Sequence, residues 1–201
     1  MNFLAHLYLS GNDEGVMLGN FMADFVKGRP ENRLPASDQR KEILRGIWLH
    51  RHIDYFTDTH DVVRQSKQRL HPGYHKYAGV ITDMFYDHLL AAHWSEYSSI
   101  PLADFASQVY AILKRNQHVF PAGMERVLHE MVTQNWLVSY AQLDGIERAL
   151  QGMARRTTFN SGMERAVTDL RQHYALFHQE FKVFFPQLIH AAQVHLQQYQ
   201  T

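Results

Sequence analysis

The segments His50-Arg51-His52-Ile53-Asp54 and Thr82-Asp83-Met84-Phe85-Tyr86-Asp87-His88 set metal-ligating side chains one helical turn apart. On an α-helix, residues i and i+4 share a face, so His50 stacks over Asp54 and Asp83 over Asp87. Pairs of this kind, brought together from two or three helices, build carboxylate–imidazole metal sites inside bundles. Across residues 80–94 a helical wheel puts Asp83 and Asp87 in the apolar arc with Val80, Leu90 and Trp94, leaving Thr82 and Tyr86 in a polar arc. Across residues 43–58, His50, Asp54 and Asp58 follow the stripe of Ile43 and Ile47. A buried carboxylate is costly unless it pairs, neutralises or binds a cation. Pairing with Arg51 or a buried histidine would serve the fold alone. Two acidic pairs and several histidines in so short a stretch favour a metal site.

Other residues join these by type and position. Asn20, Asp24 and Lys27 line one edge of a predicted helix, which in isolation reads as a solvent face. Beside the acidic pairs, Asp24 becomes a further ligand and Lys27 a phosphate contact. His6 reads equally as a core histidine bonded to backbone or as a ligand. The candidate metal ligands are thus Asp24, His50, Asp83 and Asp87, with His6. Asp54 stands next to them, and His50, Asp54 and His88 are the candidate catalytic groups, His88 orienting a ligand or moving a proton. Lys27 and Arg51 are placed to hold phosphate oxygens. Arg155-Arg156 closes a helix, where two cations either take an anion or complement the helix dipole. Oxygen and imidazole donors without sulfur favour Mn²⁺, Mg²⁺ or Fe²⁺ over a structural zinc, and such an ion suits phosphoester hydrolysis.

The elements that must position these groups read as helices throughout, with no sustained strand alternation. Helices are expected over residues 14–26, from an N-cap at Ser37 or Asp38 to about residue 57, then to about residue 70, where His71-Pro72-Gly73 breaks the pattern. A long buried helix follows over 74–94, then helices near 102–118, 123–134 and 143–155. A final helix over 161–198 contains Pro186, which should kink or split it. The Gln-rich end after His195 reads as a fraying turn. With no internal repeat or long linker, the expectation is one all-α domain spanning 1–201, a multi-helix bundle.

Composition narrows the partners. Of 201 residues, Lys plus Arg (20) equals Asp plus Glu (20), so bulk charge gives no nucleic-acid or membrane signal. The absence of cysteine removes disulfides and thiolate chemistry. The apolar opening lacks a basic region and is too short to span a membrane, so a cytoplasmic protein is expected. Of the 14 histidines, eight precede residue 94, alongside most of the buried-looking acids, which puts the chemistry in the N-terminal half.

Four blocks in order carry a family resemblance: Asn2-Phe3-Leu4-Ala5-His6-Leu7, Gly19-Asn20-Phe21-Met22-Ala23-Asp24-Phe25-Val26-Lys27-Gly28, the run from Gly46 through His50 and Asp54 to His60, and Asp83-Met84-Phe85-Tyr86-Asp87-His88-Leu89-Leu90. With them the chain resembles the acyl carrier protein phosphodiesterases along its whole length. The resemblance implies a His-Asp phosphohydrolase-like helical fold, a divalent ion, typically Mn²⁺, and acyl carrier protein, small and acidic as a class, as partner. It implies hydrolysis of the phosphodiester between 4′-phosphopantetheine and a carrier serine. The superfamily's adjacent His-Asp pair has one counterpart here, His60-Asp61. Three rivals stand beside this reading: a metal-dependent phosphohydrolase of nucleotides or small phosphoesters, a non-catalytic haem-binding helical protein, and a helical interaction module whose buried polar groups only fix its packing. The oligomeric state is left open.

Overall fold

The computed structural model describes residues 1–34 and 39–198, and every regular element among them is helical. In order these are α1 (Phe3–Leu9), α2 (Glu14–Met22), α3 (Arg40–Thr59), α4 (Asp61–Tyr74), α5 (Ala78–Ala92), α6 (Leu102–Arg115), α7 (Met124–Thr133), α8 (Trp136–Ser139), α9 (Leu143–Ala154), α10 (Ala166–Gln172) and α11 (Tyr174–Gln198), with short 3₁₀ turns between several of them. None of the described helices is long and apolar enough to cross a membrane.

Glycine decides how the first helices meet. Asp13 caps α2, its side chain accepting from the Val16 amide at 3.1 Å. A Cβ on Gly19 would fall 2.0 Å from the Ile43 carbonyl oxygen, and one on Gly46 2.1 Å from that of Val16. Only hydrogen fits there, so α2 and α3 cross backbone to backbone and bring Asn20 beside His50.

The central helix is α5, covered on nearly all sides. Ile81, Met84, Phe85, Leu89 and Leu90 are buried, and so are Thr82 and Tyr86, which the wheel assigns to a polar arc. That arc faces protein, not water. The Tyr86 hydroxyl meets Ser66 Oγ at 2.9 Å, and Ser66 in turn bonds Glu180, the partner of Arg69. From α11, Phe177 and Phe181 close edge-on over Phe85 and Tyr86, at 5.2 and 5.4 Å.

Several boundaries differ from the expectation. The opening apolar run is a helix, α1, capped by Asn2 on the Phe3 amide. α4 continues through Pro72 because the lost amide lies near its end, and the His75 amide still reaches the His71 carbonyl. His75, at φ 46°, then turns the chain, so the long helix expected from residue 74 begins only at Ala78. The last helix is not split at Pro186; α11 runs through it, anchored by buried Phe181, Phe184, Phe185 and Leu188. It is divided instead at His173, between α10 and α11. The expected N-cap at Ser37 or Asp38 lies outside the described residues, as does the end of the Gln-rich tail.

Candidate metal centre

Two imidazoles form the floor of the site. His6 of α1 and His50 of α3 stack with ring centroids 4.0 Å apart. Both rings are held from behind by Asn20 of α2, which is fully buried. Asn20 Nδ2 donates to the His6 carbonyl at 2.7 Å and to Ser10 Oγ at 3.0 Å. A carbonyl only accepts, so this bond fixes the orientation of the amide and turns Oδ1 toward the rings. Oδ1 lies 2.9 Å from His6 Nδ1 and 3.1 Å from His50 Nδ1, and the Asn20 carbonyl lies 2.8 Å from His50 Nδ1. Both Nδ1 atoms therefore carry hydrogen, and both Nε2 atoms face the opposite way.

That opposite side is acidic. Asp54 bridges the pair, with Oδ1 3.2 Å from His6 Nε2 and Oδ2 3.2 Å from His50 Nε2. Asp24, in the 3₁₀ turn after α2, brings Oδ1 to 3.3 Å from His50 Nε2. Burial opposes a charge on His50, but the two carboxylates outweigh it and raise its pKa to about 9. Burial and the neighbouring His50 lower that of His6 to about 4. Burial also disfavours the Asp54 anion, yet the hydrogen bond from the His50 imidazolium leaves its carboxyl below the usual range. A hydrogen bond to His50 likewise lowers Asp24, against the pull of burial.

At neutral pH, then, His50 holds a proton between two carboxylates, whereas His6 Nε2 is a bare lone pair facing a carboxylate oxygen. That contact is repulsive unless a cation lies between, and the nitrogen and oxygen donors fit a hard or borderline divalent ion. His6, His50 and Asp54 together offer ligand atoms within 4.8 Å of one another. They open onto a cavity of about 260 Å³ that Asp24, Asp58 and Asp83 also line.

The stacking of His50 over Asp54 appears as their spacing predicts. The other pair separates. Asp83 lines the cavity with Oδ1 2.9 Å from the Met1 ammonium, while Asp87 is fully buried beneath α1. Its oxygens accept the amides of Asn2 (3.1 Å), Leu4 (2.7 Å) and Ala5 (3.3 Å), satisfying the first turn of α1. Burial pushes this carboxyl up to about 7, against the opposing pull of the Met1 ammonium and the three amides. Asp87 thus anchors the helix that carries His6 and does not reach the cluster. His88 is buried on the other side, bonding the Tyr140 carbonyl through Nδ1 at 2.8 Å. Arg51 straps the turn holding Asp24 to α3 through the carbonyls of Val26 (3.2 Å) and Gly28 (2.7 Å), and Lys27 is exposed; neither lines the cavity. Arg155 and Arg156 line a second, larger cavity. His60 caps α4 and Asp61 pairs with Arg64, so the adjacent His-Asp dipeptide stands apart from the cluster.

Asn20, which the sequence places on an edge that reads as a solvent face, is the residue whose role the sequence does not show. Its nearest signal is Gly19 on α2 and Gly46 on α3, each of which lets the other helix's backbone close onto its own.

The fold and site define an all-helical protein with an imidazole–carboxylate centre held by a buried amide. The family model for acyl carrier protein phosphodiesterase matches residues 1–188, and the chain belongs to that family. A relative from Photorhabdus laumondii subsp. laumondii, named acyl carrier protein phosphodiesterase, is 34% identical over 194 residues, covering 96% of each chain. Relatives of the same name from Klebsiella pneumoniae subsp. pneumoniae and Yersinia pestis are each 33% identical, over 198 and 195 residues, covering 96% of this chain and 98% of theirs. No solved structure matches the chain.

Proposed function

We propose that this protein hydrolyses the phosphodiester joining 4′-phosphopantetheine to a serine of holo-acyl carrier protein, with a divalent ion, Mn²⁺ foremost, at the His6–His50–Asp54 cluster. One observation carries the reading: His6 Nε2 and His50 Nε2 each face an oxygen of Asp54 at 3.2 Å on the wall of an open cavity. The name shared by the relatives supplies the substrate. Nε2 of His6, Nε2 of His50 and the carboxylate of Asp54 would hold the ion, with Asp24 beside them. An ion bound there acidifies water and neutralises charge on phosphoryl oxygens.

The chain's own residues do the rest. Asn20 keeps both Nε2 atoms turned toward the cavity. Water adds to phosphorus and the bond from phosphorus to the serine oxygen breaks. The water's proton goes to Asp24 Oδ1, the carboxylate most open to the cavity, and the serine oxygen takes one from solvent. Exposed Arg155 and Arg156, unpaired among the described residues, offer positive charge to an acidic carrier protein.

The test is mass spectrometry of holo-acyl carrier protein incubated with chelator-treated protein, with and without Mn²⁺. The expected result is apo-carrier protein plus free 4′-phosphopantetheine only with the ion, and His50→Ala and Asp54→Ala slower by roughly a thousandfold or more. Full activity after metal removal would overturn the metal assignment. An intact carrier protein beside a hydrolysed nucleotide would replace the substrate.

A further inference from the structure

A cavity larger than the acidic one lies beside it, and Arg155 and Arg156 are among its lining residues. It measures about 560 Å³, within the range of small-molecule sites. Phe3 lines both cavities, and the consecutive residues Asp24 and Phe25 line one each. Phe3 also spans the two sets of walls, its ring 5.7 Å from Phe21 on the acidic side and 6.1 Å from Trp136 on the other. A molecule with its phosphate at the cluster therefore has a path along Phe3 into the second cavity.

The lining describes what such a molecule is. Phe3, Phe25, Trp136 and Met153 present apolar surface, and Phe25 is 38% exposed, unusually open for a phenylalanine beside a charged site. Half-buried Gln151 contributes an amide with no hydrogen bond among the described residues. There is no acid in this lining, in contrast with the four aspartates of the first cavity. Such walls suit a neutral chain of methylenes and methyls interrupted by amides.

We infer that the second cavity holds the pantetheine arm of the substrate, laid along Phe3 from the phosphodiester at the His6–His50–Asp54 cluster to the pocket between Trp136 and Met153. The inference rests on the proposed phosphodiesterase reading and adds to it a specificity determinant. The arm's apolar stretches lie against the aromatic walls, its amides meet Gln151 and the guanidiniums at the rim, and the arm adds binding energy remote from the reacting phosphorus.

Gly152 gives a direct test. It lies in α9, it lines the cavity, and a Cβ there would meet nothing within 4 Å, so Gly152→Phe fills the space without pressing on backbone. Two readouts are paired. The first is turnover of holo-acyl carrier protein against bis(p-nitrophenyl) phosphate, a phosphodiester without the arm. Gly152→Phe should raise KM for the carrier protein by roughly tenfold or more, while kcat/KM on the small diester stays within about twofold. The second needs no turnover: free pantetheine should perturb Trp136 fluorescence in the wild type and in His50→Ala, but not in Gly152→Phe. If the carrier protein is cleaved, yet Gly152→Phe leaves its KM unchanged and pantetheine leaves Trp136 unmoved, the inference falls and the phosphodiesterase reading stands. If pantetheine binds but the carrier protein is never cleaved, the phosphodiesterase reading falls instead. A Gly152→Phe defect confined to carrier protein with an acylated arm would give the cavity to the acyl chain and overturn the assignment to the arm itself.

Discussion

Replacing Asn20 with leucine tests the support of the site without touching a candidate ligand. The side chain is fully buried and of similar length to leucine, so the change removes hydrogen bonds more than volume. Four are lost: Nδ2 to the His6 carbonyl, Nδ2 to Ser10 Oγ, and Oδ1 from each imidazole. Three of the four groups left behind keep other partners. His50 Nδ1 retains the Asn20 carbonyl at 2.8 Å, and Ser10 Oγ and the His6 carbonyl retain each other at 2.9 Å. His6 Nδ1 retains none. An orphaned buried donor costs about 1–3 kcal/mol, and the remaining lost bonds about 1 kcal/mol in sum, giving about 2–4 kcal/mol. For a chain of this size that lowers Tm by about 5–15 °C. Freed from Oδ1, the His6 ring rotates to find a partner and takes Nε2 off the cluster, so Mn²⁺ affinity by calorimetry should fall about 10–100-fold. Asn20→Asp separates the two effects. It keeps the acceptor for both rings but loses both donations, so stability falls while Mn²⁺ affinity holds within about threefold. Mn²⁺ binding to Asn20→Leu within about twofold of wild type would refute this account of how the imidazoles are held.

Three further outcomes follow from the same geometry. His50 has a pKa raised above its unfolded value, so its contribution to metal-free stability is complete below about 6.5 and is lost as pH climbs through about 9; His50→Gln should abolish that slope in thermal melts, and Mn²⁺ binding at pH 7 should release about one proton, read from calorimetry in buffers of different ionisation enthalpy. Asp87→Ala leaves the amides of Leu4 and Ala5 without their acceptor and should cost about 2–4 kcal/mol in denaturant unfolding, with Mn²⁺ affinity of the folded fraction near wild type, whereas a loss of affinity without a loss of stability would return Asp87 to the ligands. Gly46→Ala drives a Cβ against the Val16 carbonyl and should cost about 1–3 kcal/mol or more, while Gly152→Ala, in open space on a helix, should gain about 0.5–1 kcal/mol.

Periodicity carried the all-helical reading and the stacking of His50 over Asp54, because both depend on spacing within one helix. It could not carry the fate of Asp83 and Asp87. Their shared face is real, but the groups that meet them come from the N-terminal segment: an ammonium for Asp83 and three amides for Asp87. A wheel shows that a carboxylate is buried and not what covers it. Thr82 and Tyr86 were misread for the complementary reason, since α5 is central and its polar arc meets Ser66 and its partners rather than water. The role of Asn20 is not legible from its helix edge because it joins α1, α2 and α3, and no pattern within one helix reports a junction of three. The nearest sign was glycine at positions 15, 19 and 46, which encodes the close crossing of α2 on α3.

In the proposed reading, charge at the cluster would tie the ion to the substrate. Asp58 is offset by Lys67 and Asp83 by the Met1 ammonium, so the uncompensated groups are Asp24, Asp54 and the His50 imidazolium, with His6 neutral. Two negative charges and one positive leave a net charge of minus one. A phosphodiester also carries one negative charge, and it would enter this partly desolvated cavity against repulsion. Two unit charges about 5 Å apart repel by about 3 kcal/mol at an effective dielectric of 20, enough to weaken binding by roughly a hundredfold. A divalent ion displacing the His50 proton would bring the same groups to zero, and His6 Nε2 and Asp54 would hold it, supplying the positive charge that the single proton does not. The arrangement that is electrostatically awkward when metal-free would thus admit an anionic phosphodiester with an ion bound, and Asn20 preserves it by denying either imidazole the freedom to turn away.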